Sequence, residues 1–102
     1  MTIDLQPIDD ATWLAYQGAI SWPDGQRPLF ATGVFPVSKI AWNLVISPEG
    51  ATMVADDERL EEGGYVLDTD GFPTPEDARA WVAKHLPTEP RNRLDFLLAG
   101  FE

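Results

Sequence analysis

The chain has 102 residues, with 17 Asp and Glu against 7 Lys and Arg, one His and no Cys, for a formal charge of -10. At this length one domain, residues 1–102, is expected, with a core that buries about 60 to 70% of the unfolded surface. Without Cys there are no disulfides, thiolate zinc sites or cysteine nucleophiles, and a charge this negative disfavours direct binding to nucleic acid or an anionic membrane.

Nine Pro and eight Gly cut the chain into short runs, the pattern of strands joined by turns. The N-terminal run Met1-Thr2-Ile3-Asp4-Leu5 has no basic flank, and no stretch approaches the ~20 apolar residues of a membrane span. A cytoplasmic location is therefore the expectation. Over residues 9–20 two patterns compete. Leu14, Tyr16, Gly18, Ile20 and Trp22 alternate as one face of a strand, whereas Asp9 or Asp10 would cap a helix through Trp13, Leu14 and Gln17. The strand is favoured, because the turn Pro23-Asp24-Gly25 would then close a hairpin onto the next run, Leu29 to Phe35, which lies between Pro28 and Pro36.

From Ile40 to Ser47 the alternation is unbroken: Ile40, Trp42, Leu44 and Ile46 share one face, and Ala41, Asn43, Val45 and Ser47 the other. Pro48-Glu49-Gly50 supplies a turn and Ala51 to Ala55 resumes an extended pattern, so residues 40–55 read as a β-hairpin. Asp56 to Gly64 is polar and reads as a loop or one helical turn, and Tyr65 to Asp68 as a short strand. Thr74-Pro75-Glu76-Asp77 then has a hydroxyl cap, Pro at the first helical position and acids at the positive end of the helix dipole. Ala78, Trp81, Val82, His85 and Leu86 follow as one apolar stripe with Trp81 at its centre, and Pro87 ends the helix. The tail from Leu94 to Phe101 suits a closing helix or an edge strand. The expected fold is α+β: a small antiparallel sheet of four to five strands with one amphipathic helix packed on one face.

Catalytic and metal-binding patterns are sparse. His85 is the sole histidine and none of Ser21, Ser38 and Ser47 lies in a Gly-x-Ser-x-Gly elbow, so His85 reads as a helix-end residue. Asp68-Thr69-Asp70-Gly71 places two carboxylates one residue apart but lacks the Gly and Glu spacing of an EF-hand, and it reads as a strand-to-helix turn. Gly63-Gly64 is not followed by the Lys-Ser/Thr of a phosphate loop. No enzymatic role, cofactor or metal is expected.

Charge position is more informative than charge total. Nine of the 17 acids fall between Asp56 and Asp77, with Arg59 the one base among them. Asp56, Asp57, Glu58, Glu61, Glu62, Asp68 and Asp70 form the candidate partner-binding set, with Asp68 and Asp70 expected on one strand face about 6.8 Å apart. Trp22, beside the Pro23-Asp24-Gly25 turn, is the candidate exposed anchor. Together they suggest a protein that grips the basic surface of another protein, in the sharper form a nucleic-acid mimic that inhibits a nucleic-acid-binding target. The alternatives are a structural protein that forms a homodimer through Leu94 to Phe101, and a small carboxylate-dependent enzyme or ligand-binding domain.

The segment Gly71-Phe72-Pro73-Thr74-Pro75-Glu76-Asp77-Ala78-Arg79-Ala80-Trp81 resembles the strand-to-helix junction of the AP2-like, arm-type DNA-binding domains of phage integrases. The resemblance implies a helix covering a sheet. DNA binding does not carry over, since that family uses a basic sheet and this chain is acidic there. In size and charge the chain is also similar to phage-encoded inhibitors of host defence, anti-CRISPR proteins among them.

Overall fold

The alternation over residues 40–47 forms the central strand of the sheet in the computed structural model, which describes residues 3–16, 19–55, 65–68, 70–86, 88 and 90–92. The elements are β1 (Gln6–Pro7), α1 (Asp10–Ala15), β2 (Leu29–Val34), β3 (Ala41–Ser47), β4 (Gly50–Ala55), β5 (Tyr65–Asp68) and α2 (Pro75–His85). The five strands lie side by side in chain order and every neighbouring pair is antiparallel, so the sheet is a meander.

Its register follows from the hydrophobic pattern. Leu29 lies opposite Ile46 and Ile46 opposite Ala51; Ala31, Leu44 and Met53 form the next row, and Gly33, Trp42 and Ala55 the third. A slip of one residue would turn these rows to solvent. Gly33 is required by its neighbour: a Cβ there would come within 2.4 Å of the Trp42 indole, which lies across it. Between β4 and β5 the register shifts at Ala51/Thr52, so that β5 carries one extra residue; Leu67 there is buried in the core.

α2 covers this face of the sheet. Thr74 caps it, its hydroxyl oxygen accepting from the Asp77 backbone N–H at 3.2 Å, with Pro75 in the first turn. The residues it presses into the core are Ala78, Val82 and Leu86, which join Leu5, Trp22, Phe35 and Phe72 against the sheet. This corrects the expected role of Trp81. The small Ala78, fully buried, marks the line of closest approach, and the bulky indole lies beside it, half-buried between the rings of Phe72 (5.7 Å) and His85 (5.1 Å).

The strand favoured over residues 9–20 is also corrected. Asp10–Ala15 form α1, whose N-cap Asp9 accepts from the Thr12 backbone N–H at 2.7 Å, and the place beside β2 is taken by Gln6 and Pro7. α1 buries none of its own residues and lies on the sheet face opposite α2 through polar and ring contacts. Tyr16 meets Phe30 at 6.0 Å and its hydroxyl accepts from Asn43 Nδ2 at 2.9 Å. Arg27 stacks on Trp13 at 4.8 Å and pairs with Asp10 at 2.6 Å. Among the described residues no helix is long and apolar enough to cross a membrane.

Candidate functional site

A meander sends alternate connections to opposite ends of the sheet, so its topology decides which charged loops meet. The end that carries the β3–β4 turn, Pro48-Glu49, also holds the turn before β2, the exit from β5 and the start of α2. Two hydrogen bonds tie these loops together. The buried indole N–H of Trp22 donates to the Phe72 carbonyl at 2.9 Å, and the Phe72 N–H donates to the Pro48 carbonyl at 3.0 Å. The Trp22 turn is itself closed by Gly25 N–H to the Trp22 carbonyl and Trp22 N–H to the Gln26 carbonyl, both 2.8 Å, with Gly25 at φ 88°.

This arrangement brings exposed Asp24, Glu49 and Asp70 to one end of the molecule from three separate loops. Glu76 and Asp77 in the first turn of α2 lie at the same end, as does the start of α1 with Asp9 and Asp10, because the Ile8 N–H donates to the carbonyl of Pro28 just before β2. Asp68 ends β5 there. Arg27 lies at that end with its guanidinium engaged by Asp10, the Ile8 carbonyl and the Trp13 ring, and Arg79, one turn into α2, donates to the Leu5 carbonyl at 2.9 Å. Lys39 in the β2–β3 connection, Lys84 and His85 in the last turn of α2, and Arg91, whose carbonyl accepts from Val37 N–H at 3.3 Å, lie toward the opposite end.

The candidate residues from the sequence divide across this frame. Asp56, Asp57, Glu58, Glu61 and Glu62 lie outside the described residues; their segment leaves β4 at Ala55 and enters β5 at Tyr65, so both of its attachment points are at the end opposite the β3–β4 turn. Asp68 and Asp70 lie at the turn end, one strand length of about 10 Å away. The two do not share a strand face: β5 stops at Asp68, and Asp70 lies in a bend before Gly71, whose φ is 78°. Trp22 is corrected outright. It is 2% exposed, and instead of anchoring a partner it fastens the turn carrying Asp24 to the chain at Phe72. The apolar tail, Leu94 to Phe101, lies outside the described residues.

Asp24 and Glu49 were not among the candidate residues. Their signal was present in Pro-Asp-Gly and Pro-Glu-Gly, two acid-bearing turns that a meander sends to the same end. Among the described residues, no group of three or more His, Asp or Glu side chains is placed to hold a metal ion.

Two of these acids titrate below the ordinary aspartate value of 3.8. Asp9 is lowered by hydrogen bonds from the Thr12 side chain and then its backbone N–H, and Asp24 by the backbone N–H and then the side chain of Gln26. All four bonds favour the charged form, so the stabilisation they add is complete above the unfolded pKa and is lost as pH falls through the folded one. In an NMR titration, the Thr12 and Gln26 amide shifts are expected to move with midpoints below 3.8. Midpoints at or above that value would show that these bonds do not persist in solution.

No protein-family model matches this chain, and neither a curated protein nor a solved structure matches it.

Proposed function

We propose that the protein acts by binding another protein, and that the acidic turn end is the surface that meets a cationic groove on the partner. The observation that carries this reading is the pair of hydrogen bonds through Phe72, which holds Asp24, Glu49 and Asp70 together on three loops that sequence alone leaves 25 and 21 residues apart. Carboxylates held on short, closed turns lose little side-chain and loop freedom on binding, which favours affinity as well as steering. The long-range field is strengthened by the segment from Asp56 to Glu62, whichever way its side chains point. A groove able to accept this surface would be one rich in Arg and Lys, the kind that holds nucleic acid, and occupation by this protein would then exclude the nucleic acid.

The test of the mimicry is competition. The protein is immobilised, its partner is captured from lysate of the native host at low salt, and the purified partner is offered duplex and single-stranded nucleic acid. Displacement of this protein by nucleic acid, with Asp24→Asn/Glu49→Gln/Asp70→Asn weakening capture at least tenfold (about 1.4 kcal/mol), is the expected result. A partner that binds nucleic acid and this protein simultaneously would overturn the exclusion mechanism. Undiminished capture by the triple variant would overturn the assignment of the surface.

A further inference from the structure

We infer that Asp24-Gly25 is a site of spontaneous covalent modification, where Asp24 of the folded protein converts to isoaspartate, and that the fold shields the chain's second Asp-Gly pair, Asp70-Gly71, from the same reaction. In this chemistry the Gly nitrogen attacks the side-chain Cγ of the Asp before it. The N–Cγ bond forms, the Cγ–OH bond breaks, and the hydroxyl leaves with the nitrogen's proton as water, giving a five-membered succinimide. Water then adds back. Opening at Cγ restores Asp, whereas opening at the old backbone carbonyl routes the chain through Cβ and Cγ and leaves the former main-chain carbon as the free carboxylate. Glycine admits the reaction because no Cβ crowds the attacking nitrogen.

Attack requires the Asp-Gly peptide plane to swing until a face of the nitrogen meets Cγ, so the rate depends on what holds that plane. At Asp24-Gly25 the bonds that hold it run within residues 22–26. Gly25 N–H donates to the Trp22 carbonyl and Trp22 N–H to the Gln26 carbonyl, both at 2.8 Å, while the Asp24 carboxylate accepts from the Gln26 N–H at 3.0 Å and from Gln26 Nε2 at 2.6 Å. Asp24, Gly25 and Gln26 are exposed, and a carbon added to Gly25 would meet nothing within 4 Å. Water replaces such bonds at small net cost, so this turn opens locally. The Gln26 bonds also keep the Asp24 carboxyl ionised, and water leaves from the neutral acid, so the opening that frees the nitrogen also readies the carboxyl.

Asp70-Gly71 is held by the core. A Cβ on Gly71 would lie 2.2 Å from the Pro48 carbonyl oxygen, so the Gly71 backbone has no room to turn on that side. The next residue, Phe72, is buried and tied through both of its backbone polar groups, its N–H to Pro48 and its carbonyl to the Trp22 indole. Swinging the Asp70-Gly71 plane therefore requires the clamp at Phe72 to open, a larger and rarer event than the opening of an exposed turn. At position 24 the product keeps its negative charge but lengthens the backbone by one atom inside the ring closed by Trp22 N–H and the Gln26 carbonyl, so that ring no longer has its native size. The reaction does not depend on the binding role proposed above.

The experiment ages the full chain near neutral pH, once in buffer and once unfolded in urea, and follows isoaspartate at each pair by peptide mapping with isoaspartyl-specific methylation. In urea the two pairs are expected to isomerise at similar rates. In the folded protein Asp24 should isomerise roughly tenfold or more faster than Asp70, which reacts only when the clamp opens. Trp22→Phe removes one bond of the clamp and is expected to raise the Asp70 rate while leaving the turn's backbone bonds in place. If that variant does not fold, the comparison of folded and unfolded parent decides the matter. Three results would each overturn the inference: no isoaspartate at Asp24 in the folded protein while the unfolded chain accumulates it, the same ratio of the two rates in urea as in buffer, or a folded Trp22→Phe chain whose Asp70 rate is unchanged.

Discussion

Gly71→Ala is expected to destabilise the protein by about 3 to 4 kcal/mol, a large share of the roughly 5 to 15 kcal/mol that holds a domain of this kind folded. Gly71 has φ 78°, where an L side chain costs about 1 to 2 kcal/mol. A Cβ there would also lie 2.2 Å from the Pro48 carbonyl oxygen, a backbone atom that has no rotamer to retreat into. Moving that oxygen breaks the bond it accepts from Phe72 N–H, about 1 kcal/mol more, and loosens the chain to which Trp22 is fastened. Gly25→Ala is the control. Its φ is 88°, yet nothing lies within 4 Å of the added carbon, so it should cost only the backbone term of about 1 to 2 kcal/mol. Urea unfolding of the two variants compares them directly, and equal losses would show that the approach of Gly71 to Pro48 is not made in solution.

Trp22→Phe should cost about 2 to 4 kcal/mol. The substitution leaves the Phe72 carbonyl without its buried donor, worth about 1 to 3 kcal/mol, and opens a space where the larger ring had been. Trp13→Phe makes the comparison sharp. That indole also donates to a carbonyl, Ala19 at 3.3 Å, but from a half-buried position on a helix that buries none of its own residues, and its loss should cost less than about 1 kcal/mol. Near-ultraviolet circular dichroism and urea midpoints of both variants give the measurement. A Trp22→Phe variant as stable as the parent would mean that the Asp24 turn is not clamped to Phe72.

Where local chemistry decided the structure, the sequence was legible. The β3–β4 hairpin follows from eight alternating residues ending in Pro-Glu-Gly, and α2 from a hydroxyl cap, a proline and an apolar stripe. Residues 9–20 misled because α1 is only six residues long. A 3.6-residue period has no room to show itself there, and the chance alternation of Leu14, Tyr16 and Gly18 outweighed the better signal, Asp9 three positions before Thr12. Trp22 was misread for a different reason: its partner carbonyl is 50 residues away, and burial beside a Pro-Asp-Gly turn cannot be foreseen without that contact. The division of the acids was recoverable. A strand at Tyr65–Asp68 already implies that residues before it and after it emerge at opposite ends of the sheet, so Asp56 to Glu62 cannot share attachment points with Asp68 and Asp70.

The most direct measurement is the dissociation constant of the captured complex as a function of salt, for the parent protein, for Asp24→Asn/Glu49→Gln/Asp70→Asn, and for Asp57→Asn/Glu61→Gln. Asn at position 24 retains an acceptor for the Gln26 N–H, so a folded triple variant is expected. If the acidic turn end is the contact surface, affinity falls steeply with salt for the parent, the triple variant binds at least tenfold more weakly with a shallower salt slope, and the double variant is affected less. Binding that is indifferent to salt, or a triple variant that keeps the parent's slope, would contradict it.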